Sequence, residues 1–233
     1  MNEPSPLLSL PTTRHDRWAL LDSLIDRWHP PHVGPAGYTR EDVQTAERKL
    51  GFAIPEALAE WYFAYGKLRR VWSRQDEFLP PEQLRIHNDA LIFYVENQGV
   101  VQWGIPSDDL KSDDPSVVVE SVDDASQWIP QTDSVSKFAI YMFGYTLAFA
   151  DGDSWTYGYA KPPLVETIVS RLPMLDFPTT WWTQTRLLGY DDLVVAIDGT
   201  NHVHACPTSK ASLEAFNALA TQDTFDIYAS SDG

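Results

Sequence analysis

The segment from Ser134 to about Ala150 constrains the fold more than any other part of the sequence. Its residues, among them Phe138, Tyr141 and Leu147, are apolar almost all round a helix rather than along one stripe. A helix of that kind is buried, because a surface helix keeps a polar face for solvent. The chain must therefore supply other elements that cover this helix on most of its sides.

Three shorter helices are predicted before it. Residues 14–28 carry apolar side chains at three- and four-residue spacing, which indicates an amphipathic helix. Thr39 is placed to cap a second helix by accepting the backbone N–H of Asp42, and Gly51 supplies the left-handed residue that ends it. A third helix follows at once, and we expect Pro55 at its first position.

Strands are predicted in the middle and near the end of the chain. The runs 90–95 and 100–105 are rich in β-forming residues and are separated by a turn, which predicts a hairpin, and 117–119 is a third short strand. The runs 193–197 and 201–206 form a second predicted hairpin.

Two local sequence signals accompany that second hairpin, one between its strands and one after them. Asp198-Gly199 is typical of a two-residue type I′ turn between its strands. Thr208 is the expected cap of a final helix.

Hairpins dominate this order of elements, and a regular alternation of strands and helices is missing. The pattern favours the α+β class, with a mainly antiparallel (mixed) sheet covered by helices. We expect one domain over residues 1–233.

Bulk properties exclude several classes of protein. The sequence has no apolar run of about 18 residues, and residues 1–11 lack the basic and apolar regions of a signal peptide. A single cysteine, Cys206, excludes an internal disulfide. We therefore expect a cytoplasmic protein. The formal net charge of −16 disfavours nucleic acid and anionic membranes as partners and favours a basic one.

The negative charge is concentrated in one segment. Residues 75–133 contain thirteen acidic residues against two basic ones, Arg85 and Lys111, which is −11 of the total −16. The acidic loop that begins at Ser107 is the densest part. A solvated loop explains such a run as readily as a binding surface does.

Three passages, in this order, resemble a known family. Residues 50–62 read LGFAIPEALAEWY, residues 95–103 read VENQGVVQW and are followed by DPSV at 114–117, and residues 136–142 read SKFAIYM. Together they are similar to the SUKH superfamily, which includes bacterial immunity proteins that neutralise toxins and a fungal regulator of cell-wall synthesis. The resemblance is best over 39–150, looser over 151–220, and leaves 14–28 as an extra N-terminal helix.

The resemblance implies a SUKH-like fold and binding of another protein rather than catalysis. The leading hypothesis is an immunity-type protein that binds and neutralises a cognate toxin, such as a basic nuclease-like toxin, through an acidic surface. The alternative is a regulatory interaction module without a toxin partner. Neither hypothesis requires a cofactor or a metal.

The candidate partner-binding residues are carboxylates and adjacent tryptophans. Since neighbouring strand residues face opposite sides, one of the two tryptophans is a candidate to meet solvent or a partner. The simpler interpretation is that both tryptophans pack in the core. The full set is Asp108, Asp109, Asp113, Asp114, Asp123, Asp124, Asp151, Asp153, Trp181 and Trp182.

The sequence supports an enzymatic or metal-binding function less well than it supports protein binding. His202, His204 and Cys206 alternate on one side of a predicted strand, where zinc would need a further ligand from elsewhere. Cys206 beside a histidine lacks an evident oxyanion donor. Asp151 and Asp153 fit paired carboxylates or, more simply, a turn. We expect no catalytic residue.

Overall fold

The computed structural model describes residues 6–73, 76–121, 124–149, 155–178, 184–190, 192–220 and 224–230. The chain divides into two compact units. The larger unit is formed within Pro11–Phe143, and the smaller unit comes from the described parts of Met1–Leu10 and Gly144–Gly233. Each contains an antiparallel sheet and helices, which confirms the α+β class. The expectation of one domain over the whole chain stays a prediction.

Four helices precede the sheet of the larger unit, with bounds α1 Arg14–Trp28, α2 Arg40–Leu50, α3 Glu56–Tyr65 and α4 Arg69–Trp72. Thr39 and Asp42 cap each other's backbone N–H groups at the start of α2, and Gly51 ends it at φ 83°. These predictions are confirmed. The prediction for Pro55 was wrong by one residue, since Pro55 is the cap and α3 begins at Glu56.

The sheet of the larger unit contains β1 Asp76–Phe78, β2 Arg85–His87, β3 Ala90–Glu96, β4 Val101–Pro106, β5 Val117–Ser121 and β6 Asp124–Thr132. Its order is β1-β3-β4-β5-β6, and β2 also pairs with β3. The predicted hairpin between β3 and β4 is confirmed. A second hairpin joins β2 to β3 through Asn88 and Asp89, both at positive φ as a type I′ turn requires.

Helix α5, Val135–Phe149, is the predicted buried helix. Its described side chains are buried on every side except at the half-buried Lys137, so the all-round apolar pattern was read correctly. The division between the two units falls within this helix. Over the described ranges, no helix combines the length and the apolar character that crossing a membrane requires.

Aromatic side chains form the core of the larger unit. Trp61 of α3 stacks on Phe78 with 4.4 Å between ring centroids, and it lies 6.2 Å from Phe138 of α5. Trp103 of β4 is 6.1 Å from the same Phe138 ring. The three passages quoted for the family resemblance thus each contribute at least one large ring to a single core. Such pairs contribute about 0.5–1.5 kcal/mol each beyond the burial of their area.

The smaller unit contains β7 Thr156–Ala160, α6 Pro162–Arg171, β8 Arg186–Tyr190, β9 Leu193–Asp198, β10 His202–Pro207, α7 Lys210–Asn217 and β11 Phe225–Ser230. Its strand order is β11-β7-β10-β9-β8, antiparallel throughout. One face is buried against both helices, through Ile168 and Phe216 packed with Val195 and Val203.

Two local predictions in this unit were wrong. Asp198 pairs with His202, so the connection is the three residues 199–201, and only Gly199 among them has positive φ. A two-residue type I′ turn is therefore excluded. The cap of α7 is Ser209 rather than Thr208, because the Ser209 hydroxyl accepts the backbone N–H of Ser212.

Asp76 in β1 is a buried carboxylate, with only 3% of its surface exposed, directly opposite Glu96 in β3. Burial raises its pKa from 3.8 to about 7, and the charge of Glu96 adds to this. The backbone N–H of Asn97 opposes the shift in part, although neither carboxylate oxygen accepts a hydrogen bond of good geometry. Ionised Asp76 is therefore unfavourable in the folded chain.

We predict that Asp76→Asn raises the free energy of unfolding by about 2 kcal/mol at pH 8 and by almost nothing at pH 4. In the unmodified chain, the raised pKa gives stability that is complete below the unfolded pKa near 4 and is lost as pH rises through about 7. Urea denaturation at several pH values measures this. Glu77→Gln on the same strand, with 40% of the side chain exposed, is the control. A parallel pH dependence for the parent and Asp76→Asn would contradict the prediction.

Candidate functional site

The acidic loop, Ser107–Pro115, connects β4 to β5 in the larger unit. It opens with a 3₁₀ turn over Ser107–Asp109. Its first residue is held by a hydrogen bond of 2.7 Å from the Ser107 N–H to the carbonyl of Asp89. The loop therefore leaves the sheet next to the turn between β2 and β3.

Asp109 holds the two ends of the loop together by hydrogen bonds. One of its carboxylate oxygens, Oδ2, accepts both the backbone N–H and the hydroxyl of Ser116, each at 2.7 Å. This carboxylate ties the start of the loop to the residue just after its end. Asp109 is half-buried, and its carboxylate stabilises the conformation of the loop.

Asp114 forms a buried ionic network with Arg17 of α1 and Ser136 of α5. The Arg17 guanidinium donates to Asp114 Oδ2 at 2.9 Å and to the Ser136 hydroxyl at 2.7 Å. The Ser136 backbone N–H donates to Asp114 Oδ1 at 2.9 Å. The Arg17 and Asp114 side chains are 8% and 13% exposed. Asp114 therefore caps the first turn of α5 and neutralises Arg17.

The exposed charges of the loop are Asp108, Lys111 and Asp113. The sequence alone placed all four loop aspartates at a partner-binding surface, and the structure presents two of them to solvent. Glu120, counted among the acids of this segment, is buried in β5 and accepts hydrogen bonds from Asn88 and Gln102 at 2.8 Å.

The remaining candidates lie wholly or partly outside the described residues. Asp124 is the first residue of β6, and its side chain is not described. Asp123, Asp151, Asp153, Trp181 and Trp182 belong to the ranges that the structure leaves undescribed.

An open groove of about 740 Å³ adjoins the acidic loop, between the loop and helices α2 and α3. Half of its sixteen lining residues are apolar, and five of the others are charged. The apolar residues include Val43, Phe52, Ile54, Ala59, Phe63 and Leu110. The charged residues are Arg40, Glu47, Glu56, Lys111 and Asp113. The acidic loop forms one wall and contributes two of its exposed charges, Lys111 and Asp113.

Hydrogen bonds between the elements hold the groove open. The carbonyl of Asp113 accepts the backbone N–H of Ala57 in the first turn of α3 at 2.8 Å. The Glu47 carboxylate accepts the backbone N–H of Ile54 at 3.0 Å, which ties α2 to the connection before α3.

Besides Glu47, two further charges along the groove already interact within the chain. Glu56 pairs with Arg14 at 2.7 Å. The Arg40 guanidinium lies 5.6 Å from the centre of the Phe63 ring. The groove was not predicted from the sequence, although residues 50–62, quoted for the family resemblance, build much of it.

The histidines of β10 lie among aromatic rings of the smaller unit. His202 is 4.1 Å from the ring of Tyr159, and His204 stacks on Tyr157 at 5.2 Å. Burial lowers the pKa of His204 to about 4, so its imidazole is neutral at pH 7. Cys206 is buried. Among the residues that the structure describes, no three His, Cys, Asp or Glu side chains converge as metal ligands would.

Comparison with known proteins adds no relative. No family model matches the chain. Neither the curated proteins nor the solved structures contain a significant match. The resemblance to the SUKH superfamily therefore stays a prediction from the residues quoted above.

We predict that Asp114→Ala lowers the free energy of unfolding by about 3 kcal/mol, because it leaves the buried Arg17 charge unpaired and α5 uncapped. The adjacent substitution Asp113→Ala removes an exposed side chain and should change stability by less than about 0.5 kcal/mol. Urea denaturation of both variants at pH 7 tests the distinction. Equal losses would show that the two carboxylates do not differ in role.

Proposed function

We propose that this chain is an immunity-type protein of the cytoplasm, which binds a cognate protein toxin with a basic surface and blocks it. The resemblance to the SUKH superfamily suggests the class of function. The observation that carries the proposal is the acidic loop, which presents Asp108 and Asp113 to solvent while Asp109 and Asp114 hold its backbone.

A rigid acidic loop suits a partner that must itself bind a polyanion. A nuclease-like toxin carries a basic surface for nucleic acid, and an inhibitor that covers this surface needs fixed carboxylates. Charge complementarity of this kind accelerates association and selects partners more than it adds affinity. The net charge of −16 supports attraction at long range, and the exposed loop carboxylates direct it locally.

The first experiment is recovery of the partner at two salt concentrations. The purified full chain is immobilised and exposed to lysate of its source cells, including the proteins encoded beside it. We expect one basic protein at a 1:1 ratio, with its toxic or nuclease activity lost when the chain is added back. Several weak partners without such an activity would favour the regulatory-module alternative and contradict the immunity proposal.

We predict that the double variant Asp108→Asn, Asp113→Asn slows association with that partner about fivefold at low salt, with little change in the dissociation rate. The rate should also depend less steeply on ionic strength. Stopped-flow mixing with the recovered partner measures both quantities.

The matched control for this prediction is Asp26→Asn, Glu82→Gln. It removes the same charge from two other exposed sites of the larger unit, neither of which lines the groove. If the control slows association as much as the loop variant, net charge rather than the acidic loop directs binding.

A further inference from the structure

We propose that the groove beside the acidic loop is the anchor site of the interface, and that it takes an apolar side chain, preferably aromatic, that is followed on the partner by an arginine or lysine. This inference rests on the proposed function, because it names the part of the partner that the groove recognises. It adds a binding site of defined chemistry to the electrostatic role of the loop.

The first argument is the apolar lining. Phe52, Phe63 and Leu110 line the groove, and Phe63 is 37% exposed in all. An exposed aromatic side chain in a concave site gains most when another apolar group covers it. Interface residues with the largest effects are typically aromatic anchors that fill such hollows.

The second argument is that the groove is already formed. Two hydrogen bonds join its walls, one from the Ala57 N–H to the Asp113 carbonyl and one from the Ile54 N–H to the Glu47 carboxylate. Asp114, which accepts hydrogen bonds from Arg17 and Ser136, holds the backbone of the loop wall in place. A partner side chain therefore enters without first ordering these walls, which preserves more of the contact energy for binding.

The third argument concerns the sign of the neighbouring charge. The lining carries three carboxylates and two cations, and one of the carboxylates, Glu56, is already paired with Arg14. Arg40 lies against the Phe63 ring, whereas Asp113 is exposed at the loop wall. A cation next to the anchor therefore fits beside Asp113. Because Lys111 stands on the same wall, the preference for a cation over an anion should be modest.

The test uses short capped peptides and the full chain, with amide chemical shifts followed by NMR. We expect Ac-Phe-Arg-NH₂ to bind with a Kd on the order of 1 mM and to shift amides of α2, α3 and the acidic loop. Ac-Ala-Arg-NH₂ should bind at least about tenfold more weakly, since it lacks the apolar anchor. Ac-Phe-Glu-NH₂ should bind about threefold more weakly, as expected for an exposed ion pair.

Two substitutions make the assignment specific. Ala59→Trp fills the groove from a half-buried position on α3 and should abolish the shifts with all three peptides. Asp113→Lys should reverse the order of Ac-Phe-Arg-NH₂ and Ac-Phe-Glu-NH₂, which a merely misfolded variant would not do. Shifts that lie outside the groove, or equal binding of the Phe and Ala peptides, would overturn the inference.

The outcome is separable from that of the proposed function. If a basic toxin is recovered and Ala59→Trp leaves its affinity unchanged, the groove inference fails and the immunity proposal stands. If the peptides bind as expected and no toxin is recovered, the groove is a recognition site and the immunity proposal fails.

Discussion

The ionic network of Arg17, Asp114 and Ser136 is the interaction on which the larger unit most depends. It joins α1, the acidic loop and α5 through two side chains that are almost removed from water. A buried ion pair contributes little net stability compared with apolar residues of the same size, but losing one partner is costly. Its main effect is therefore positional. Asp113 precedes Asp114, so the network also fixes the carbonyl that accepts the Ala57 N–H and forms the groove wall.

The aromatic core and the groove are two sides of the same helix. Trp61 points from α3 into the core, where it contacts Phe78 and Phe138, while Ala59 and Phe63 on the same helix line the groove. Helical periodicity separates these faces, so residues 50–62, one of the three passages quoted for the resemblance, contribute to both the core and the surface. Similarity in such a passage is informative about architecture first, because the core ring constrains the backbone that the groove residues then share.

Much of the fold could be predicted from local patterns, and the failures have physical causes. Helix α1 was predicted from its periodicity, α2 from its caps, α5 from its all-round apolar character, and the hairpin of β3 and β4 from two β-forming runs around a turn. Strands β1 and β2 have three residues each, too few for a period to appear. The type I′ turn was expected at Asp198-Gly199 and occurs at Asn88-Asp89, since Asn and Asp also tolerate positive φ. Nothing in the local patterns assigns strands to one sheet or to two.

The candidate site shows why charge density along a sequence overstates the charge of a surface. Asp113 and Asp114 are adjacent and chemically identical, and only the distant residues Arg17 and Ser136 decide which of them turns inward. The side chain of Glu120 in β5 is likewise buried, and its carboxylate accepts hydrogen bonds from Asn88 and Gln102. The carboxylates that remain outside act on a partner at long range, whereas those inside set the backbone from which the others project. A mutation series that treats the acidic residues as one class would therefore mix two effects, loss of attraction and loss of shape, and only the exposed pair reports on the first.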